Sequence, residues 1–269
     1  MAGKPRLAVC ISYFNSVKEL PRLLDPLVDH VDMIIGIDGR YPGFSWPSNI
    51  SEDGSNELLT SKYGAFVEIN KDPIQQIDKR NQYLEIADKA GMDFVLVLDT
   101  DDYLSRKKKY QNWDLFYDEL AKMPDYENLA NIWFWMSPLW RKNWNMVTDN
   151  TWSRYTRIIR PDKIRYEISH WTYVSKDNPN TFDMANIDIE GLRFNSNSTL
   201  RNEKYMKSGY DWAEKQMLEE NKRFETPRAK RMKFNFWCRQ IQKALMVEGT
   251  EIIEGEEEVE KIKKALQNP

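Results

Sequence analysis

Four short apolar runs rich in β-branched residues, Arg6 to Phe14, Met33 to Ile37, Ala65 to Ile69 and Asp93 to Leu98, alternate with helical stretches. Strands joined only through helices must lie parallel, and parallel strands covered on both faces read as continuous apolar runs. The helices between them carry their own signals. Asn15-Ser16 offers a cap for a helix whose apolar face is Leu20, Leu23, Leu24, Leu27 and Val31. A short helix is expected from Asn56 to Lys62. The next has Asp72 as N-cap, Pro73 at its first position, Gln75 completing a capping box and Gly91 as its stop. This order predicts an α/β fold with a Rossmann-like, mostly parallel, twisted sheet.

Beyond Asp102 the pattern changes. A helix from about Trp113 to Lys122 precedes short strand-like pieces at Ile132 to Met136, Tyr155 to Arg160, Trp171 to Ser175 and Ile187 to Phe194. They read as antiparallel strands added to the same sheet. From Arg201 the chain reads as helical, with segments at Tyr205 to Phe224, Arg228 to Val247 and a charged one at Glu254 to Leu266. The expected organisation is one domain over 1–200, with halves 1–105 and 106–200, and a helical extension over 201–269 packed on it.

Composition removes several classes. No apolar run approaches the roughly 20 residues that span a bilayer, and the start of the chain leads directly into a strand, so a cytoplasmic protein is expected. Cys10 and Cys238 sit in strand and helix patterns as core filler. With only His30 and His170, a zinc centre built on several histidines is excluded. A net charge of −3 gives no footprint for nonspecific nucleic-acid binding, although Arg106-Lys107-Lys108-Lys109 is a local basic run. The excess is aromatic: ten tryptophans and thirteen tyrosines.

The chemistry concentrates at Asp99-Thr100-Asp101, where the fourth apolar run ends. Open α/β sheets place their ligand crevice at the carboxyl ends of the strands, and carboxylates two apart there suit a hard divalent cation presented to a diphosphate. Asp102 makes a third acidic group in one turn, an arrangement that needs a cation or N–H donors beside it. Arg80 falls between Ile77 and Leu84 on the apolar stripe of its helix, so its guanidinium must reach a carboxylate, a phosphate or the rim of a cleft. The loop from Arg40 to Gly54, with Pro42, Gly43 and Pro47, suits an active-site flap.

Val9 to Asn15, Lys79-Arg80-Asn81, Leu98 to Asp102 and Arg157-Ile158-Ile159-Arg160-Pro161 occur in an order that resembles glycosyltransferases of the GT-A fold, most of all the family 2 group. The resemblance covers about the first 105 residues well and the stretch to about residue 200 loosely. It implies transfer of a sugar from a nucleotide-diphosphate sugar, most commonly a UDP sugar, with inversion and with Mn²⁺ or Mg²⁺ as cofactor. It implies Asp101 as the direct metal ligand, with Asp99 nearer the ribose or a metal-bound water. It brings Ser12, Tyr13 and Asn15 to the nucleotide, Asp38 to the base or ribose, Arg80 to the diphosphate or the acidic triplet, and Asn81 to the loop or donor. Tyr13 has two readings, a ring stacked on the base or one folded onto the core.

The second half departs from the family pattern. Trp171 occupies the position where relatives carry an acidic residue after histidine, which leaves Glu167 first and His170 second as candidate general bases, with Asp149 and Asp162 behind them. Around Leu192 to Asn197 relatives often have a histidine, and this chain offers Asn195 and Asn197. Trp133 and Trp135 are expected in the core, Trp140 and Trp144 as an exposed platform on the acceptor side. The acceptor is a glycan, a lipid carrier, a protein or modified DNA; basic and aromatic residues in the late helix allow contact with a membrane surface. Two rivals remain open: a noncatalytic sugar- or nucleotide-binding scaffold of the same fold, and a nucleotidyltransferase, which would need a glycine-rich phosphate loop that Ser12 to Ser16 does not supply.

Overall fold

The computed structural model describes residues 4–136, 152–167, 173–178 and 187–196. The expected platform at Trp140 and Trp144, the candidate base His170, Trp171, Asn197, Cys238 and the helical extension over 201–269 lie outside these residues.

The four apolar runs become β1 (Leu7–Tyr13), β2 (Met33–Asp38), β3 (Phe66–Ile69) and β4 (Phe94–Asp99), separated by α1 (Glu19–Leu24), α2 (Ser55–Tyr63) and α3 (Gln76–Lys89). All four strands are mutually parallel, in the order β3-β2-β1-β4. Alternation sorts their side chains. Leu7, Val9, Ile11 and Tyr13 of β1, with Leu96 and Leu98 of β4, pack under α1 and α2. Ala8 and Cys10, with Val95 and Val97, pack under α3 through Tyr83, Leu84 and Ala87.

After β4 come β5 (Asp102–Leu104), a 3₁₀ turn at Lys108–Tyr110, α4 (Trp113–Lys122), β6 (Leu129–Met136), β7 (Trp152–Ile159), β8 (Ile164–Tyr166), β9 (Tyr173–Ser175) and β10 (Ile187–Ser196). Four of these complete one eight-stranded sheet, β3-β2-β1-β4-β7-β6-β10-β5, in which β7 is antiparallel to β4 and to β6 and β5 is antiparallel to β10. This mostly parallel α/β sheet with antiparallel additions is the architecture expected of a GT-A fold. It must curl. Asp99 and Asp102 are three residues apart, a reach of about 11 Å, whereas β4 and β5 in a flat sheet would stand about 19 Å apart across four strand spacings. The far edge therefore returns to the carboxyl end of β4, bringing Ser196 opposite Asp102 and Asn195 opposite Tyr103.

Several local expectations are corrected. The first helix ends at Leu24 because Pro26 follows Asp25; Leu27, Val28 and Val31 reach the same core from turns. The capping box at Asp72 does not form. Asn70 N–H donates to the Asp38 carbonyl and Ile74 N–H to the Arg40 carbonyl, which hold the segment extended, so α3 starts at Gln76 with Gln75 as N-cap. β9 leaves the main sheet and pairs with β8 in a separate two-stranded ribbon. Through Ile164, Tyr166 and Tyr173 that ribbon covers the α3 side of the core. Trp133 is half-buried, its ring near the guanidinium groups of Arg193 at 5.4 Å and Arg154 at 5.8 Å.

Gly191 marks a close approach of α4 to β10. Its φ is +99°, and a Cβ there would stand 2.4 Å from the Asn112 carbonyl oxygen and 2.7 Å from the Phe116 nitrogen, at the first turn of α4. Gly191→Ala is expected to cost at least about 2 kcal/mol, since neither backbone group yields easily. Gly64→Ala, also at positive φ but with open space around it, is expected to cost about 1 kcal/mol. Urea denaturation of both variants checks the difference.

Candidate donor site at the carboxyl ends of β1 and β4

The chain leaves β1 toward β2 and β3 on one side and returns to β4 on the other. The order reverses between β1 and β4, the place where an open α/β sheet binds ligands. Register puts Ser12 beside Asp99 there, on the α3 face. Both are held by buried surroundings.

Asp99 is the centre of the cluster. One carboxylate oxygen accepts from Arg80 Nη2 at 2.8 Å and the other from Arg157 Nη2 at 2.8 Å. The arginines are almost wholly buried, at 2% and 7% side-chain exposure, while Asp99 is 31% exposed. Arg80 reaches it because Lys79, Arg80, Tyr83, Leu84 and Ala87 form the buried stripe of α3. Arg157 reaches it from β7 at an irregularity in the ladder: Ala130 of β6 faces Ile158 and Asn131 faces Thr156, so the register shifts at Arg157. A bulge of this kind re-aims one side chain.

Asp102 closes the cluster from below. It is fully buried, accepts the Asp99 backbone N–H at 2.8 Å through Oδ2 and lies 3.6 Å from Arg157. Its Oδ1 has no hydrogen-bond partner among the described residues. Burial pushes its carboxyl up to about 7, with Arg157 pulling the other way and Asp99 and Asp101 adding to the rise. Burial alone would depress Arg157, but Asp99 and then Asp102 more than offset it and hold the guanidinium charged. The charge of Arg157 is therefore balanced chiefly by Asp99, the nearer carboxylate. Asp101 sits half-buried in the turn between β4 and β5, where its carbonyl accepts from Arg22 Nη2 at 3.5 Å.

Loops from β1 and β2 form the other wall. Asp38 is buried, and its carboxylate accepts Gly39 N–H at 2.7 Å, Ser51 N–H at 2.8 Å, Ser51 Oγ at 2.7 Å and Asn56 Nδ2 at 3.0 Å. Its work in the structure is to hold the Arg40–Gly54 loop. Asn15, at φ +49°, donates its N–H to Ser51 Oγ and accepts Glu52 N–H at 2.9 Å. Its Nδ2 is buried without a partner among the described residues. Within the loop, Arg40 donates to Asn49 Oδ1 at 2.8 and 3.0 Å and to the Phe44 carbonyl, and Phe44 and Trp46 gather around Phe14 at 6.0 and 6.2 Å. It is a built wall.

Tyr13 follows the second of its two readings, and Glu167 has an ion-pair partner of its own. Tyr13 turns inward, 2% exposed, with its hydroxyl donating to Asn56 Oδ1 and its ring against Gly36. As the last core-facing residue of β1 it has no face to offer a base. Glu167 is exposed and paired with Arg165 at 3.0 Å, on the outer side of a ribbon whose Tyr166 points into the core. Asn81 clamps that ribbon, donating to the Tyr166 carbonyl at 3.0 Å and accepting its N–H at 2.8 Å. Sequence reasoning passed over two buried cations, Lys79 and Arg157. The signal was the one that marked Arg80: a charge on an otherwise apolar stripe or strand.

The described residues contain no group of three or more metal-ligating side chains. Each Asp99 oxygen already receives an arginine, so Asp101 is the carboxylate of the triplet best placed for a cation. A cleft of about 820 Å³ lined by Lys4, His30, Lys108, Lys109, Trp113 and Tyr117 lies elsewhere, toward the amino ends of β1 and β2. It shares no residue with the cluster.

No family model matches this chain, and no curated protein matches it. Among solved structures, S. aureus TarS 1-349 is similar, with 18% identity over 58% of this chain and 47% of that chain and a TM-score of 0.36. A second crystal structure of S. aureus TarS gives 15% identity over 78% and 38%, with a TM-score of 0.39. TarS 1-349 in complex with UDP-GlcNAc gives 18% identity over 58% and 45%, with a TM-score of 0.36. The chain spans less than half the length of these structures.

Removing the shared carboxylate leaves two buried guanidiniums facing each other. Asp99→Ala is expected to destabilise the fold by about 3 kcal/mol. Adding Arg80→Met should cost less than the sum of the two single changes, because the second removes a charge the first has orphaned. Urea unfolding of the four proteins in a double-mutant cycle measures the coupling.

Proposed function

We propose that the chain is a glycosyltransferase that takes a sugar from a nucleotide-diphosphate sugar, UDP sugars first among the donors. The observation that carries the reading is the acidic turn at the strand-order reversal, with Asp99 fixed by two buried arginines and Asp101 beside it. A carboxylate held in this way at the mouth of the crevice suits a ribose hydroxyl. Asn15 Nδ2, buried and unpartnered among the described residues, is a donor that a diphosphate or ribose would satisfy. Ser12 lies in register with Asp99 at the floor between them. Asp38 acts one step back, by holding the wall.

Breaking the anomeric C–O bond puts negative charge on the departing diphosphate. Asp101, with phosphate oxygens and water, would hold Mg²⁺ or Mn²⁺, a ligand set typical of a cation that keeps its waters. Such a cation, when bound, neutralises the leaving diphosphate. Arg80 and Arg157 fix the carboxylate that orients the donor and add positive potential behind it. Transfer with inversion needs one base on the acceptor side. We take Glu167, next to the Tyr166 that Asn81 clamps, as the first candidate for that base, with Asp162 behind it. We place the protein in the cytoplasm, with a glycan, lipid carrier or protein as acceptor; no helix among the described residues is long and apolar enough to cross a membrane.

The pairing of Glu167 with Arg165 on the exposed side of the ribbon favours a second reading, a nucleotide-sugar-binding protein without transfer. Calorimetric titration with UDP, GDP and UDP-GlcNAc, with and without Mn²⁺, tests the common part. Binding that strengthens with metal and falls at least about tenfold in Asp101→Ala is expected; no binding of any nucleotide overturns the proposal. Slow release of free sugar from the bound donor separates the transferase from the binding protein.

A further inference from the structure

The first turn of α3 carries a lysine that the donor site as described does not use. Lys79 is fully buried. Its ammonium donates to the Tyr13 carbonyl at 2.9 Å and to the Gly39 carbonyl, and stands 4.7 Å from the centre of the Tyr41 ring. Tyr13 is the last residue of β1, and Gly39 follows the last residue of β2. These two carbonyls stand where the chain leaves the sheet for the Phe14–Ser16 turn and for the Arg40–Gly54 wall. One cation therefore fastens the starts of both loops to the helix that also carries Arg80.

We propose that Lys79 is a positioning residue for nucleotide binding, holding the β1 and β2 loops, and with them Asn15, in place at the wall of the donor crevice. The inference rests on the donor-site reading above. The geometry is specific to an ammonium, which has three donors and here meets two carbonyls and an aromatic face. Methionine could fill the volume but would leave both carbonyls without this donor.

The charge state of Lys79 adds a pH signature. Asp38 of β2 is the charged group that acts on it; Tyr13 of β1 and Tyr41 of the loop are the titratable groups around it. Burial lowers its pKa to about 7 against the opposing pull of Asp38. The ammonium gives way to an amine as pH rises through that value. The unfolded chain keeps the proton up to the ordinary lysine range, so this group makes the fold more stable as pH rises from about 7 toward 10. Opening of the two loops that hydrates Lys79 follows the same linkage and becomes rarer over that range.

The test uses the full chain, with UDP as probe, at pH 6.0 to 8.5. Hydrogen exchange of amides 14–17 and 39–54, corrected for the intrinsic pH dependence of exchange, is followed in the nucleotide-free protein alongside UDP affinity. Wild type is expected to gain loop protection as pH rises, with a thermal midpoint that does not fall. Lys79→Met is expected to bind UDP about tenfold more weakly at pH 6.0, with a flat pH profile and exposed loop amides. Unchanged loop protection and affinity in Lys79→Met, or a wild-type loop whose protection is independent of pH, overturns the proposal. If UDP does not bind wild type at all, the donor-site reading fails, and the positioning role fails with it even where exchange shows that Lys79 fastens the loops. If Lys79→Met does not fold, the wild-type pH series decides.

Discussion

A single carboxylate shared by two buried guanidiniums joins the two halves of this sheet. Asp99 ends the parallel half; Arg80 comes from the helix that covers it, and Arg157 comes from the first antiparallel strand beyond it. Burying two cations this deeply is costly where either lacks a partner, so the three side chains stabilise one another. The register shift beside Asn131 is where β7 turns Arg157 to the cluster. Asp102 then supports the turn from inside, through the Asp99 N–H, at the cost of a carboxyl kept partly protonated by burial.

The loops at the other wall follow the same logic with different groups. Asp38 gathers four donors, three from the loop that follows β2 and one from α2, and Lys79 gathers two carbonyls from the strand ends. In the interior, polar groups persist only where their partners are supplied. Each such group here binds chain segments that apolar packing cannot order, since the Arg40–Gly54 loop places few side chains in the main cores. The crevice is thus shaped by buried charge on both sides. Its floor is the pair Ser12 and Asp99, set by strand register.

Much of this was legible from residue patterns. Apolar periodicity located β1 to β4 and the helices between them, because doubly covered strands and amphipathic helices leave unambiguous repeats. It placed Arg80 on a buried stripe for the same reason. What it missed depends on tertiary contacts. Asp72, Pro73 and Gln75 spell a capping box, yet backbone bonds to Asp38 and Arg40 hold that segment extended. Tyr13 and Ser12 are neighbours in sequence, and only the parity of β1 decides that the tyrosine enters the core while the serine meets the cluster. Arg157 was visible as part of a motif, but a register shift in a ladder has no sequence signature.

The curl of the sheet explains why residues from the far edge belong to the same site. Three residues cannot carry the chain from β4 to β5 across a flat sheet, so the acidic turn itself forces β10 and β5 back toward the crevice. Asn195 arrives by this route, buried and opposite Tyr103, with its Nδ2 unpartnered among the described residues. A polar set on β6, β7 and β10 arrives with it: Asn131 and Arg154 donate to the Asp188 carboxylate, and the Thr156 hydroxyl donates to Asn131 Oδ1. The parallel half thus supplies one wall of the crevice, and the antiparallel half, closed onto it by the length of one turn, supplies the side that faces it.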